Sequence, residues 1–490
     1  MRSLLEIVRS LYNSPLGDGG IVKSLNNSPL ASRDGGSVFF LGIGGIGMSA
    51  LARYFNSIGV AVSGYDKTET TLCKQLAAEG ISIHYEDNIK LIDKNAQLVI
   101  YTPAVPKDHK ELNYYLQNGF TVTKRSDVLG AITASGFNIC VAGTHGKTTT
   151  STMLAHILRH SNYGCNAFLG GIAVNYNSNF WSSKKNVFVA EADEYDRSFL
   201  KLSPDVAIIS SMDPDHLDIY GTAANMEQAF IDFSARIKSG GLLISKYGLT
   251  RGNDLIASNH ITYDVQNEKA DVHATNIRIS NGSYVFDIQI KDRLIKQVVL
   301  NMGGMHNIEN ATAAIAVATH IGISEEKIKA AVADFKGVKR RFEYIIKNGK
   351  TVLIDDYAHH PEELRALISS TKKLFSNKKC IVVFQPHLFS RTRDLADGFA
   401  EVLDLADEVI ILPIYPAREL PMEGVSSEMI LERMHSENKV VLSKENLLKH
   451  IEQEVAAHVE EGYNGTVFIT AGAGDIDTLV EPLKKIIENK

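Results

Sequence analysis

The sequence predicts an α/β protein of three domains, and three observations carry that prediction. Short β-branched runs alternate with helical stretches, the rhythm restarts twice, and two strands run into glycine-rich turns that open helices. Strands and helices in alternation imply parallel sheets wrapped by helices. A chain of 490 residues also exceeds what one hydrophobic core organises, so several cores are expected.

Residues 1–36 stand apart. Leu11–Leu16 is echoed by Leu25–Leu30, both reading Asn-Ser-Pro-Leu at their ends and both followed by Asp-Gly-Gly. Text so rich in turn formers predicts a poorly ordered extension outside the catalytic fold. The first unit, 37–135, holds strands at Val38–Leu41, Val60–Ser63 and Leu98–Tyr101, with helical stretches at Ala50–Ile58 and Leu72–Ala78. The second, 136–336, restarts at Asn138–Ala142 and continues through Val187–Ala190, Val206–Ser210 and Gly241–Ser245. The third, 337–490, contains Thr351–Ile354, Ile381–Phe384, Val409–Leu412 and Thr466–Thr470. Small residues at Ala134, Ser135 and Gly136, and the pair Lys336 and Gly337, mark the joints.

Composition narrows the function classes. With 44% apolar and 22% charged residues the chain reads as globular, neither disordered nor fibrous. No apolar run approaches the ~20 residues that span a bilayer. Glu6 and Arg9 interrupt the only short apolar stretch at the amino terminus, so a cytoplasmic protein is expected, with no membrane insertion. Cys73, Cys140, Cys165 and Cys380 lack the paired spacing of a zinc site or a disulfide scaffold, and read as packing residues. A net charge of −6 argues against a nucleic-acid surface, so anionic ligands must be met locally.

The most informative segment is Asn138–Thr150, an apolar strand entering Gly143, Thr144, His145, Gly146, Lys147, Thr148 and Thr149 and then a helix. Backbone N–H groups at a helix start cradle phosphate, Lys147 reaches the outer phosphates, and Thr148 can ligate Mg²⁺. Val141 stands where the usual pattern has its first glycine. Next, the strand Val187–Ala190 ends in a burst of carboxylates, of which Glu191 is best placed for a hard cation. A solvated acidic loop describes some of Asp193, Glu194 and Asp196. His216 lies beyond another strand, equally suited to a structural hydrogen bond or a second divalent ion.

In the first unit Gly42, Gly44 and Gly47 keep nucleotide-binding spacing directly after a strand, with Gly45, Ile46, Met48 and Ser49 completing the turn. Asp66 ends the next strand, where a carboxylate can accept from a ribose or base. This fingerprint suits NAD, FAD or a nucleotide-sugar equally. A nicotinamide oxidoreductase leaves the second phosphate loop unexplained, because hydride transfer needs one nucleotide site. In the third unit Lys339, Arg340 and Arg341, the segment Asp355–Pro361, and Phe384–Arg393 gather arginines beside strand ends, suited to bidentate capture of phosphate or carboxylate.

Together Gly42–Ser49, Gly143–Thr149, Asp215–Asp218, Gly303–Asn310, Lys339–Phe342 and Asp356–Pro361 resemble, in order and spacing, the Mur ligase family over residues 37–490. The likeness is to its alanine-adding branch. It implies a Rossmann-like UDP-binding unit, a central P-loop ATPase with a parallel-rich sheet, and a Rossmann-like carboxy-terminal unit that closes over both. It further implies that ATP, with Mg²⁺, drives amide formation between the lactyl carboxylate of UDP-N-acetylmuramate and L-alanine through an acyl phosphate, in peptidoglycan precursor synthesis. By the same resemblance Lys147 and Thr148 hold phosphates and Mg²⁺, Glu191 and His216 serve metals, and Asn307 and Asn310 flank adenine. Arg341 and Asp356 reach ATP across the domain gap, and Tyr357, His359, His387 and Arg391 lie near the amino acid. Gly42 to Ser49 and Asp66 fall to the UDP-sugar. Leu388 and Phe389 stand where relatives often carry Arg-Tyr, which removes one positive contact and shifts its burden to Arg391. Glu191–Asp196 is also similar to the related ligase that recycles a murein tripeptide, the alternative reading. The assembly is left open between monomer and homodimer.

Overall fold

In the computed structural model residues 3–12, 36–417, 419–456 and 462–489 are described. Three sheets organise them. The first is fully parallel, with strands in the order Ser82–His84, Ala61–Tyr65, Ser37–Leu41, Ala96–Tyr101 and Val122–Lys124. Its chain reverses direction across the sheet at Ser37–Leu41, and ligands of such sheets bind off the strand ends at that point. The glycine turn follows this strand and opens the helix Ile46–Ser57.

The second sheet has ten strands. Its parallel heart runs Asn259–Asp264, Leu242–Lys246, Val206–Ile209, Phe137–Ala142, Val187–Glu191 and Asn166–Ala173. Val206–Ile209 is buried throughout and Phe137–Ala142 and Val187–Glu191 nearly so, the continuous apolar text of strands covered on both faces. Both edges carry strands not expected from the sequence: Ser178–Trp181 pairs antiparallel with Asn166–Ala173, and Val272–Ser280 joins parallel to Asn259–Asp264 and starts an antiparallel meander with Ser283–Ile290 and Arg293–Leu300. Asn281 and Gly282 turn the meander with φ of 51° and 67°, a two-residue turn whose positive φ values suit those residue types. The third sheet places Glu343–Lys347, antiparallel, beside Thr351–Asp356, Thr466–Ala471, Lys379–Phe384, Glu408–Ile411 and Lys439–Val441.

The extension departs from expectation at its start. Leu4–Tyr12 is a helix that packs on the helix Arg125–Thr133, and Leu4, Ile7 and Val8 are buried in the same core as Val128, Leu129 and Ile132. Apolar residues at positions 4, 7, 8 and 11 form one helical stripe, which the neighbouring turn-rich text obscured. Beyond Tyr12 the repeated phrase falls outside the described residues.

The third domain is strapped to the second through the joint. Lys339 N–H donates to the Ile172 carbonyl at 2.9 Å and Val174 N–H to the Gly337 carbonyl at 3.0 Å. On the far side Lys347 Nζ donates to the Gly282 carbonyl at 3.0 Å and Ser283 Oγ at 3.1 Å. The four cysteines are buried and free, and burial pushes the Cys140, Cys165 and Cys380 thiols up, away from reactivity. Among the described residues no helix is long and apolar enough to cross a membrane.

Candidate active site

The central glycine turn is held open by its own backbone. Gly143 and Gly146 have φ of 128° and 82°, and a Cβ at Gly143 meets Ser210 Oγ at 2.2 Å, so neither position tolerates a side chain. His145 N–H donates to Ser211 Oγ at 2.8 Å, Thr144 Oγ1 donates to the Asp213 carbonyl at 2.8 Å, and Ser210 Oγ donates to the His145 carbonyl. The helix Lys147–His160 then starts with its first-turn N–H groups directed at the turn, and carries no acidic residue there to compete with an anion.

Two carboxylates stand against that turn. Glu191 ends a strand whose register pairs it with Val141, so it sits directly beside the loop. Its Oε1 accepts from Thr148 Oγ1 and its Oε2 from Gly170 N–H, both at 3.1 Å. Burial pushes its carboxyl up, opposed by Lys147 and the Thr148 hydroxyl. Glu194 departs from the solvated-loop expectation: it is 1% exposed, and its Oε1 lies 2.6 Å from Lys147 Nζ. Glu194 Oε2 is buried with no hydrogen-bond partner. His216 caps the short helix Leu217–Tyr220 in a left-handed conformation, with Nε2 at 4.0 Å from Glu194 Oε1. An orphaned buried oxygen, the hard donors Glu191 and Thr148, and a nearby imidazole fit a divalent cation.

A cavity of about 940 Å³ opens from this turn toward the third domain. It is lined by Thr144–Thr149, Asn307, Asn310, Arg341, Asp356 and Tyr357, among others. Asn310 Oδ1 accepts from Thr150 Oγ1 at 3.1 Å and lies 2.6 Å from where a Gly146 Cβ stands, so Asn310 buttresses the turn itself. Asn307 in turn accepts from Asn310 Nδ2 at 3.1 Å. Asp356 fastens the joint: Phe342 N–H donates to Oδ2 at 2.6 Å and Ala358 N–H to Oδ1 at 2.8 Å. Burial raises Asp356 to about 6 and its neighbour Asp355 to about 7.

A second cavity, of about 380 Å³, lies between the first and second domains. Gly45, Ile46, Gly47 and Met48 form one wall, and Phe168, Leu169 and Gly170 another. Gly42, Gly44 and Ser49 lie behind this wall rather than in it. Asp66 is committed to the turn: Oδ2 accepts from Gly44 N–H at 2.8 Å and Oδ1 from Thr68 N–H at 3.2 Å. The cations are Lys124, which ends the strand Val122–Lys124, and Arg125, which opens the helix after it; no glycine signature marks either in the sequence. Arg125 Nη1 lies 2.8 Å from a Gly47 Cβ position, and its Nη2 is 3.9 Å from Asp193 Oδ2.

The remaining expected residues form a row in the third domain. The rings of Tyr357 and His359 lie 5.4 Å apart, those of His359 and His387 6.2 Å, and those of His387 and Tyr415 5.8 Å. Tyr357 reaches the larger cavity, whereas His359, His387 and Arg391 are absent from its lining. Arg391 Nη1 is buried without a hydrogen-bond partner, as a guanidinium prepared for an anion is.

Comparison with known proteins accounts for this architecture. Profiles described as Mur ligase family catalytic domain, Mur ligase middle domain, and Mur ligase glutamate ligase domain match residues 37–136, 141–318 and 340–474. The UDP-N-acetylmuramate–L-alanine ligase of Flavobacterium johnsoniae is 48% identical over 92% of this chain and 98% of its own. That of Parabacteroides distasonis is 49% identical over 92% and 97%. Among solved structures, the UDP-N-acetylmuramate-alanine ligase of Thermotoga maritima superimposes with a TM-score of 0.75 at 28% identity, covering 92% of this chain and 98% of that one. A murein peptide ligase from Psychrobacter arcticus gives 0.62 at 25% identity, covering 93% and 99%. With all three domains matched and near-half identity along almost the whole of these relatives, the chain belongs to the Mur ligase family.

Proposed function

We propose that this enzyme joins L-alanine to the lactyl carboxylate of UDP-N-acetylmuramate at the expense of ATP, releasing ADP and phosphate. One observation carries the reading: Glu191 and Gly170 line both cavities, so the nucleotide turn and the first-domain glycine turn open onto the same carboxylate. A phosphoryl donor in one cavity and an acid in the other meet there. The names of relatives 48% and 49% identical to this chain support these substrates.

An acid attacking a triphosphate brings anions together, so charge must be neutralised before the atoms align. Lys147 serves the outer phosphates, leaving Glu194 as they arrive. Thr148, Glu191 and Glu194, with His216 beside them, are the residues that would hold Mg²⁺. Bound there, the ion would supply electrostatic stabilisation of the transferring phosphoryl group. Gly45 to Met48 and the cations Lys124 and Arg125 hold the UDP-sugar. Arg341 and Asp356 bring the third domain onto the nucleotide, and that closure excludes water from the acyl phosphate. Arg391 receives the amino-acid carboxylate and the ring row Tyr357, His359 and His387 flanks it. Formation of the amide then expels phosphate.

The test is phosphate release by purified protein with ATP, Mg²⁺ and UDP-N-acetylmuramate against alanine, glycine, serine and a murein tripeptide. Alanine is expected to give the highest kcat/KM. One methyl group is worth only ~1–3 kcal/mol, so glycine turns over measurably. Preference for the tripeptide selects the recycling activity, and no release with any acceptor ends the ligase reading.

A further inference from the structure

The hairpin formed by Asn166–Ala173 and Ser178–Trp181 touches three things at once. Phe168, Leu169 and Gly170 wall the smaller cavity. Gly170 N–H holds Glu191 at 3.1 Å. On the second strand Asn179, 0% exposed, reaches into the first domain. Its Nδ2 donates to the Ile46 carbonyl at 2.6 Å and to Ser49 Oγ at 3.0 Å, and its Oδ1 accepts from Arg53 Nη1. The orientation of this amide is fixed by its partners, because a guanidinium only donates and a carbonyl only accepts. Arg53, itself 6% exposed, is anchored from behind by Glu79, Nη2 to Oε1 at 2.7 Å.

Ile46 begins the helix that follows the first glycine turn and lines the cavity. Asn179 therefore grips the first turn of the anion-facing helix, while the hairpin that carries it also holds Glu191. The two walls of the cavity belong to different domains; beside the clasp Tyr54 packs 5.6 Å from Phe168 and 6.1 Å from Phe180, and elsewhere around the cavity Lys124 and Arg125 face Asp196 and Asp193 across longer gaps of 3.6 and 3.9 Å. Ring packing is tolerant of sliding, whereas three hydrogen bonds on one rigid amide fix separation and rotation together.

We propose that Asn179 is a positioning residue for ligation: by clasping the Ile46 turn it sets where the first domain presents its acid relative to Glu191. This rests on the reading that Gly45 to Met48 hold the UDP-sugar. The clasp lies away from the nucleotide, so its loss is felt through one substrate only.

The experiment is steady-state kinetics for each substrate separately, with calorimetric binding of UDP-N-acetylmuramate, in Asn179→Ala, Asn179→Asp and Arg53→Lys. Asn179→Asp keeps the size and the acceptor for Arg53 but turns a carboxylate oxygen toward the Ile46 carbonyl. It is expected to raise the KM for the UDP-sugar about tenfold, on the scale of a buried hydrogen bond turned repulsive, with the KM for ATP changed by less than about twofold. Arg53→Lys, remote from the cavity, is expected to give the same split in smaller measure and covers the case in which Asn179→Ala fails to fold. Unchanged UDP-sugar KM, equal rises for both nucleotides, or a kcat that falls only with the folded fraction overturns the proposal. Wild-type protein that does not bind UDP-N-acetylmuramate at all sinks the substrate reading instead, a separate result.

Discussion

The two glycine turns of this chain are built alike and wired differently. Each follows a parallel strand and opens a helix, but Gly143–Thr148 carries its own cation and hydroxyl, both already paired with carboxylates. The turn at Gly42–Gly47 carries no charge of its own. Its carboxylate, Asp66, is spent on the Gly44 N–H, and its cations come from Lys124 and Arg125 across the sheet. The difference follows from what each must do. A turn at which phosphate is transferred needs charge that can shift from protein to ligand as the reaction proceeds. A turn that only anchors needs fixed donors, and backbone amides with a distant arginine supply them without a mobile side chain in the way.

The sharpest way to break this comparison is Lys147→Ala. Loss of the one cation within the central turn is expected to lower kcat by roughly 10³-fold, the scale of a deleted transition-state donor. Calorimetric affinity for the UDP-sugar is expected to stay within about twofold, since the site proposed for that ligand is the other turn. Equal loss of both shows that the turns are not separate sites. The complementary change is Arg125→Ala, expected to raise the UDP-sugar KM by about 10- to 100-fold, the range of a charged hydrogen bond, while the KM for ATP holds. If ATP affinity falls instead, Arg125 serves the transferring phosphate and the anchor is backbone alone.

How far this contrast could be read from the sequence depends on how local its causes are. Gly143, Gly146, Lys147 and Thr148 lie within one turn, and Glu191 ends an apolar strand, so their grouping was legible from spacing and strand position. Glu194 did not show itself, because its burial against Lys147 joins residues 47 apart and depends on the fold between them. Arg125 likewise needs the whole first sheet to bring it beside Gly47. Asp66 was legible in position, but its hold on the Gly44 and Thr68 N–H groups was not, since a carboxylate at a strand end can serve its own loop as readily as a ribose. Asn281 and Gly282 did carry a hairpin signal, and the meander they join could have been found from it.

A third prediction concerns the joint through which the nucleotide side closes. Burial holds Asp355 at about 7 and Asp356 at about 6 against 3.8 for a free side chain. A folded value above the unfolded one means that the proton favours the fold: this stabilisation is complete below about pH 4 and is lost as pH rises through about 6 to 7. Function runs the other way, because Asp356 accepts two backbone N–H groups best as a carboxylate. Turnover at saturating UDP-sugar is therefore expected to rise about tenfold in kcat/KM for ATP between pH 5 and 7. Asp356→Asn flattens that limb, and a limb of unchanged shape assigns it elsewhere. Asp355→Asn is expected to shrink the fall in Tm over the same window.

The smallest effect comes from the part of the chain whose sequence pointed the wrong way. The helix Leu4–Tyr12 packs on Arg125–Thr133, the helix whose first residue is the arginine proposed to anchor the UDP-sugar. Removing residues 1–12 uncovers Val128, Leu129 and Ile132 and loosens the start of that helix, with nothing near the central turn disturbed. Tm is expected to fall by several degrees, as burial of Leu4, Ile7 and Val8 is lost. At temperatures where the truncated protein stays folded, the KM for the UDP-sugar should rise about threefold with that for ATP unaltered, since an anchor built from distant parts is only as firm as the helix behind it. A truncation that lowers Tm and leaves both KM values alone shows that Arg125 is held by Asp193 and its own sheet, and that the amino-terminal helix is a cover for the core without reach into the site.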